Sequence, residues 1–143
     1  MAQFIADFEE GGLSGISELH QKALANLLDE VLSGPSSELE IQSISGGASN
    51  LTYRVFRGAQ SFALRLPIAH RNDSTANTLQ REITLLKALR SSRIAHARLI
   101  AADGAGGAIG IPFILTEWID GFTPKAPLPS GFGGPDAAQG MAW

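Results

Sequence analysis

Cysteine is absent from the 143-residue chain, which excludes a disulfide framework and any thiolate metal site. No apolar run approaches the roughly 18 residues that a membrane span requires. The opening stretch Met1 to Glu10 carries Asp7, Glu9 and Glu10 and no basic side chain, the wrong charge for a signal or transit peptide. These absences fit a cytoplasmic protein. There is no excess of positive charge either. A net charge of −3 gives no general reason to expect nucleic acid as a partner. What remains is 44% apolar and 17% charged residues, the balance of a globular chain rather than a disordered one. The length fits one domain and can bury a core without staples.

The small net charge hides an asymmetry. Residues 1–50 hold eight acidic and one basic residue, net −7, whereas residues 51–100 hold nine basic and two acidic, net +7. Residues 101–143 hold four acidic and one basic, net −3. A basic middle third can serve an anionic ligand, or it can simply balance neighbouring acidic surface.

Apolar periodicity divides the chain into elements. Ile16, Leu19, Ala23, Leu24, Leu27, Leu28, Val31 and Leu32 recur at helical spacing, with Ser14 or Ser17 as cap and Gly34-Pro35 as the stop. Three period-two runs follow: Leu39 and Ile41; Leu51, Tyr53 and Val55; Phe62, Leu64 and Leu66. Glycines at 46–47 and 58 separate them, and Pro67 closes the last, the pattern of an antiparallel meander. A second helix is predicted over about Thr75 to Arg90. Two further strands are predicted at Arg98 to Ala102 and Ile111 to Ile119, turning through Asp103-Gly104-Ala105-Gly106-Gly107. From Phe122 onward prolines and glycines predict a loop, with the start of a third helix at its end. The turns between the first three strands are too short for parallel crossovers. The predicted class is therefore α+β, an antiparallel sheet with helices packed on it.

Three features carry candidate chemistry. Ser45-Gly46-Gly47-Ala48-Ser49-Asn50 lies between two strands. Such a loop either forms a plain hairpin turn or cradles phosphate oxygens with its backbone N–H groups. Ala63 and Arg65 face the side of their strand opposite Phe62, Leu64 and Leu66, so Arg65 is either a solvent-facing arginine or a cation offered to a ligand. On the second helix Leu79, Ile83, Leu85, Leu86 and Leu89 form the apolar arc, and Glu82 falls near its centre. A carboxylate there either escapes at the edge or meets a cation. Arg65 and Glu82 can answer each other, as a strand lysine and a helix glutamate do in protein kinases.

Taken together, the chain resembles the N-terminal lobe of aminoglycoside-phosphotransferase-like kinases, most nearly the branch that includes kinase-like domains attached to acyl-CoA dehydrogenases. The matching pieces are Gly46-Gly47-Ala48-Ser49-Asn50-Leu51-Thr52-Tyr53, Ala63-Leu64-Arg65-Leu66-Pro67, Arg81-Glu82, Ile109-Gly110-Ile111-Pro112-Phe113 and Glu117-Trp118-Ile119-Asp120-Gly121. Their order matches over about residues 38–122. The resemblance implies a kinase-like N-lobe with a five-stranded antiparallel sheet, an αC-type helix and an extra N-terminal helix. Its parts would be an N-terminal helical extension (1–37), the lobe (38–121), and a Pro/Gly-rich linker with the start of a C-lobe (122–143).

The resemblance also implies ATP as the cofactor. Gly46, Gly47, Ala48, Ser49 and Asn50 would cover its phosphates, Arg65 would grip them, Glu82 would orient Arg65, and Ala63 would lie beside the nucleotide. The backbones of Glu117 and Ile119 would hold adenine. The acceptor would be the hydroxyl of a small molecule, in that branch a hydroxyacyl-CoA. The family's catalytic aspartate, its asparagine and its Mg²⁺-binding aspartate belong to a C-terminal lobe. His96-Ala97-Arg98 is not a His-x-Asp loop, and Asp120-Gly121-Phe122 reads as hinge. The chain is thus expected to be a phosphotransferase lobe truncated before its catalytic residues, with Mg²⁺ held by the missing lobe. The alternative is an inactive nucleotide-binding module, or one that self-associates through the face a C-lobe would cover, with Trp118, Phe122, Phe132, Met141 and Trp143 exposed. Gly104 to Gly110 hints at a dinucleotide fingerprint, but Ile109 stands where the third glycine belongs and no helix pattern follows. His20, His70 and His96 have no metal-ligand spacing.

Overall fold

Ser17 opens the first helix, α1 (Glu18–Val31), in an extended backbone conformation. Its hydroxyl accepts the His20 N–H at 3.4 Å, and His20 Nδ1 accepts the Ser17 N–H at 3.2 Å. This reciprocal cap satisfies two amide donors that the first turn leaves unpaired. The computed structural model describes residues 16–44, 50–67 and 73–121. Ser14, His70 and the expected linker and third-helix start lie outside them. Gly34, at φ +103°, turns the chain after α1 toward the sheet.

The sheet has five strands: β1 (Leu39–Ile44), β2 (Asn50–Arg57), β3 (Gln60–Pro67), β4 (Leu99–Asp103) and β5 (Phe113–Glu117). Their spatial order is β1-β2-β3-β5-β4, with every neighbouring pair antiparallel. The β2–β3 hairpin is closed by Gly58-Ala59 between paired Arg57 and Gln60. Gly58 adopts φ +58° there, a value that costs glycine nothing. The second helix, α2 (Asp73–Leu89), joins β3 to β4. The expected α+β architecture is the one observed.

Alternation along the strands gives the sheet two unlike faces. Tyr53 and Val55 of β2, Phe62, Leu64 and Leu66 of β3, and Phe113 and Leu115 of β5 form one buried cluster with Ile16, Leu24 and Leu28 from α1 and its approach. The helix named an extension in the sequence therefore shares the main core. On the other face Leu79 and Ile83 of α2 bury Leu99 and Ile114, with Leu86 and Ala102 at the margin.

Two apolar positions predicted at helix interfaces face solvent instead. Leu19 is 74% and Leu85 57% exposed. At about 100° per residue Leu19 lies roughly 140° round α1 from Leu24, and Leu85 about 120° round α2 from Leu79, both beyond the contact arcs. Val31, at the last residue of α1, is also exposed.

One polar staple holds α1 to the sheet. Arg57, almost wholly buried, donates from Nη2 to Asp29 Oδ1 at 3.0 Å and to the Pro35 carbonyl at 3.2 Å. The Ser36 hydroxyl donates to the other Asp29 oxygen at 2.6 Å. The hydrogen bonds from Ser36 and then Arg57 hold the Asp29 carboxyl below its ordinary range. Nothing in the local sequence pattern announces this pair.

Candidate functional site

β3 turns Phe62, Leu64 and Leu66 into the α1 core, so Ala63 and Arg65 emerge on the α2 face. There the Arg65 guanidinium donates from Nη2 to Glu82 Oε1 of α2. Both side chains are about a third exposed, 30% and 33%. The carboxylate is on the side of α2 that meets the sheet, flanked by Leu79, Ile83 and Leu86, while Leu85 is turned to solvent. A cation held by one carboxylate and still open to solvent can take an anionic ligand on its remaining donors.

The strand registers lay out what surrounds this pair. Thr52 sits opposite Arg65, and Asn50 opposite Pro67. The segment 45–49 joins Ile44 to Asn50, so both of its anchors lie at the Arg65 end of the sheet. Gly46, Gly47, Ala48 and Ser49 themselves lie outside the described residues. Asn50 is the first residue of β2. Toward the other end, Arg54 sits opposite Ala63, and Ala63 opposite buried Thr116 on β5. From Pro67 to Ser61, β3 runs about 20 Å at roughly 3.3 Å per residue.

The segment after β5 is tied down at both neighbours. The Glu117 N–H donates to the Arg98 carbonyl at 2.9 Å, and the Trp118 N–H to the Ser61 carbonyl at 3.2 Å. The Glu117 carboxylate accepts the Arg98 N–H at 2.9 Å. The sequence motif points only to the backbone of Glu117; its side chain fastens the segment to the approach to β4. Trp118 Nε1 donates to Asp120 Oδ1 at 3.0 Å, and Ile119 is 60% exposed. Trp118 was expected on an open apolar surface. It is half-buried instead, with the Arg54 guanidinium carbon 4.4 Å from its ring centroid. Phe122, Phe132, Met141 and Trp143 lie outside the described residues.

The glycine-rich turn between β4 and β5 has its own structural account. Asp103 accepts the N–H groups of Ala105 at 2.8 Å and Ala108 at 2.7 Å. These backbone bonds, Ala108 first, hold its carboxyl below the ordinary range. Gly106 adopts φ +83°, and a Cβ there would stand 3.1 Å from Pro112 and 3.2 Å from the Ile111 backbone. The turn leads into a strand, not a helix. Among the described residues no group of three His, Asp or Glu side chains could hold a metal ion. No helix among them is long and apolar enough to cross a membrane.

Residues 40–138 match the model of the phosphotransferase enzyme family. The chain belongs to that family. The fold of this phosphotransferase-family chain is similar to the crystal structure of a "putative aminoglycoside phosphotransferase" from Ralstonia eutropha JMP134, with a TM-score of 0.57 and 20% sequence identity. The likeness covers 73% of this chain and 29% of that one; at this identity it shows the fold alone. The chain thus spans less than a third of that protein's length. No curated protein matches the sequence.

Proposed function

We propose that the chain is the nucleotide-binding lobe of a small-molecule phosphotransferase. The observation that carries the reading is the Arg65–Glu82 ion pair. It stands on the sheet face between the anchors of the 45–49 loop and the segment after β5. Phosphates belong at the Arg65 end, where a cation is oriented by a carboxylate and backbone N–H groups of the loop can join it. The base belongs over Ala63, whose small side chain leaves room over the sheet. The backbones of Glu117 and Ile119 are the edge it would meet. The N–H of Glu117 already serves Arg98, so its carbonyl and the Ile119 N–H are the groups assigned to the purine.

These residues fit ATP. When bound, ATP supplies the phosphoryl group, and this lobe's part is positioning and charge neutralisation. Mg²⁺ would take its carboxylate ligands from residues beyond the described elements. The acceptor in this reading is a small-molecule hydroxyl. Its narrower assignment to a hydroxyacyl-CoA, and the chain's to the acyl-CoA dehydrogenase-linked branch, rest on the resemblance of the sequence motifs and on no described side chain.

Titration of the 143-residue chain with ATP and with adenosine tests the reading. Weak ATP affinity is expected of this lobe by itself, about millimolar or −4 kcal/mol. Arg65→Met should weaken ATP about tenfold and leave adenosine unchanged. Equal ATP affinity with and without the Arg65 guanidinium would contradict it.

A further inference from the structure

On β2, Tyr53, Val55 and Arg57 point toward α1, so Arg54 and Phe56 point to the α2 face with Ala63 and Arg65. Arg54 does not turn out to water. Its guanidinium lies 4.7 Å from the Phe56 ring centroid and 4.4 Å from that of Trp118, and its Nη2 donates to Ser61 Oγ at 3.3 Å. Arg54 Nε is buried without a partner among the described residues. To reach Trp118, a β2 side chain must cross the whole of β3, about two strand spacings of roughly 4.8 Å. It can do so because β3 presents only Ser61 and Ala63 there, both small. The bridge ends on the segment that the Trp118 N–H and indole already fasten to Ser61 and Asp120.

We propose that Arg54 is a positioning residue for the base of the nucleotide: it clamps the Glu117–Asp120 segment to β2 and walls the base slot at the end away from Arg65. The role rests on the nucleotide reading above. It divides the work along the sheet face: Arg65 acts on phosphates, Arg54 on the nucleoside. A flat guanidinium is needed, since it stacks on two rings while donating in its own plane, which an ammonium cannot do.

The test uses Trp143→Phe protein, in which Trp118 is the sole indole, titrated with adenosine and ATP by NMR. Arg54→Met should weaken both ligands by one factor, about fivefold from the loss of roughly 1 kcal/mol of ring stacking. Arg54→Lys should recover only part, and Arg65→Met should weaken ATP alone. Trp118 emission should shift to the red in Arg54→Met and less in Arg54→Lys, with or without ligand. If Arg54→Met does not fold, Arg54→Lys carries the comparison, and adenosine affinity equal to the parent's overturns the role. A parent protein that binds both ligands, with an Arg54→Met variant that binds adenosine equally well or loses ATP alone, overturns the clamp and leaves the nucleotide reading standing. A parent that binds neither ligand overturns the nucleotide reading, and the role of Arg54 with it.

Discussion

The two faces of one sheet do different work. The face under α1 is buried and mostly apolar, built from Leu24, Leu28, Tyr53, Val55, Phe62, Leu64 and Phe113, none more than 3% exposed. The face under α2 has a small apolar patch and is otherwise ionic and aromatic, with Arg65–Glu82 at one end and Arg54–Trp118 at the other. Burial of apolar area is the larger source of stability, and half-exposed ion pairs add little. The contrast implies that stability resides on one face and recognition on the other, so substitutions should separate the two.

The largest effect is expected from Leu64→Ala, on the α1 face. It should cost about 3 kcal/mol by emptying a fully buried site, measured by chemical denaturation. Any change in ATP binding should track the unfolded fraction. Arg65→Met is the opposite case. With both partners a third exposed, stability should change by less than about 1 kcal/mol, while ATP affinity falls about tenfold. A variant that loses both equally would break the division.

Tyr53 sharpens it from within the core. Its hydroxyl is buried with no partner among the described residues, and burial pushes its pKa up to about 12. The free phenol ionises near 10, so its contribution is intact below pH 10 and is lost as pH rises toward 12. Tyr53 is the chain's single tyrosine, so phenolate absorbance that appears well below pH 12 should report unfolding. Tyr53→Phe should raise stability by about 1 kcal/mol or less, since it removes an unsatisfied donor, and should remove this residue's share of the alkaline loss.

The smallest effect is at the Asp103 turn. Its folded-state carboxyl titrates below the ordinary 3.8 because Ala108 and Ala105 donate to it. The stabilisation is complete above that value and is lost as pH falls through the lower folded-state value. Asp103→Asn should flatten the acid limb of the stability profile. A residual slope should remain, since Asp29 is also held low by Ser36 and Arg57. Nucleotide binding should be untouched.

The sequence revealed more of the fold than of its assembly. Period-two runs placed the strands, and Ser17 and Gly34-Pro35 bounded α1, because these signals are local. Arg65 and Glu82 were legible because each broke a pattern, a cation and an anion beside apolar stripes. That α1 would cover Phe62, Leu64 and Leu66 was not legible, since amphipathicity shows that a face is buried but not against what. The Arg57–Asp29 staple and the Arg54–Trp118 stack join residues far apart in the chain, and no local pattern links the members of either pair. Leu19 and Leu85 misled because a count of apolar residues does not fix the width of a contact arc.

Methyl NMR during an ATP titration tests the central claim most directly. The methyls of Ala63 and Ile119 should move on the recognition face together with the Arg65 guanidinium signal. The methyls of Leu24, Leu28 and Leu64 should stay in place. Shifts confined to the Gly104–Gly110 turn, or spread equally over both faces, would contradict the account.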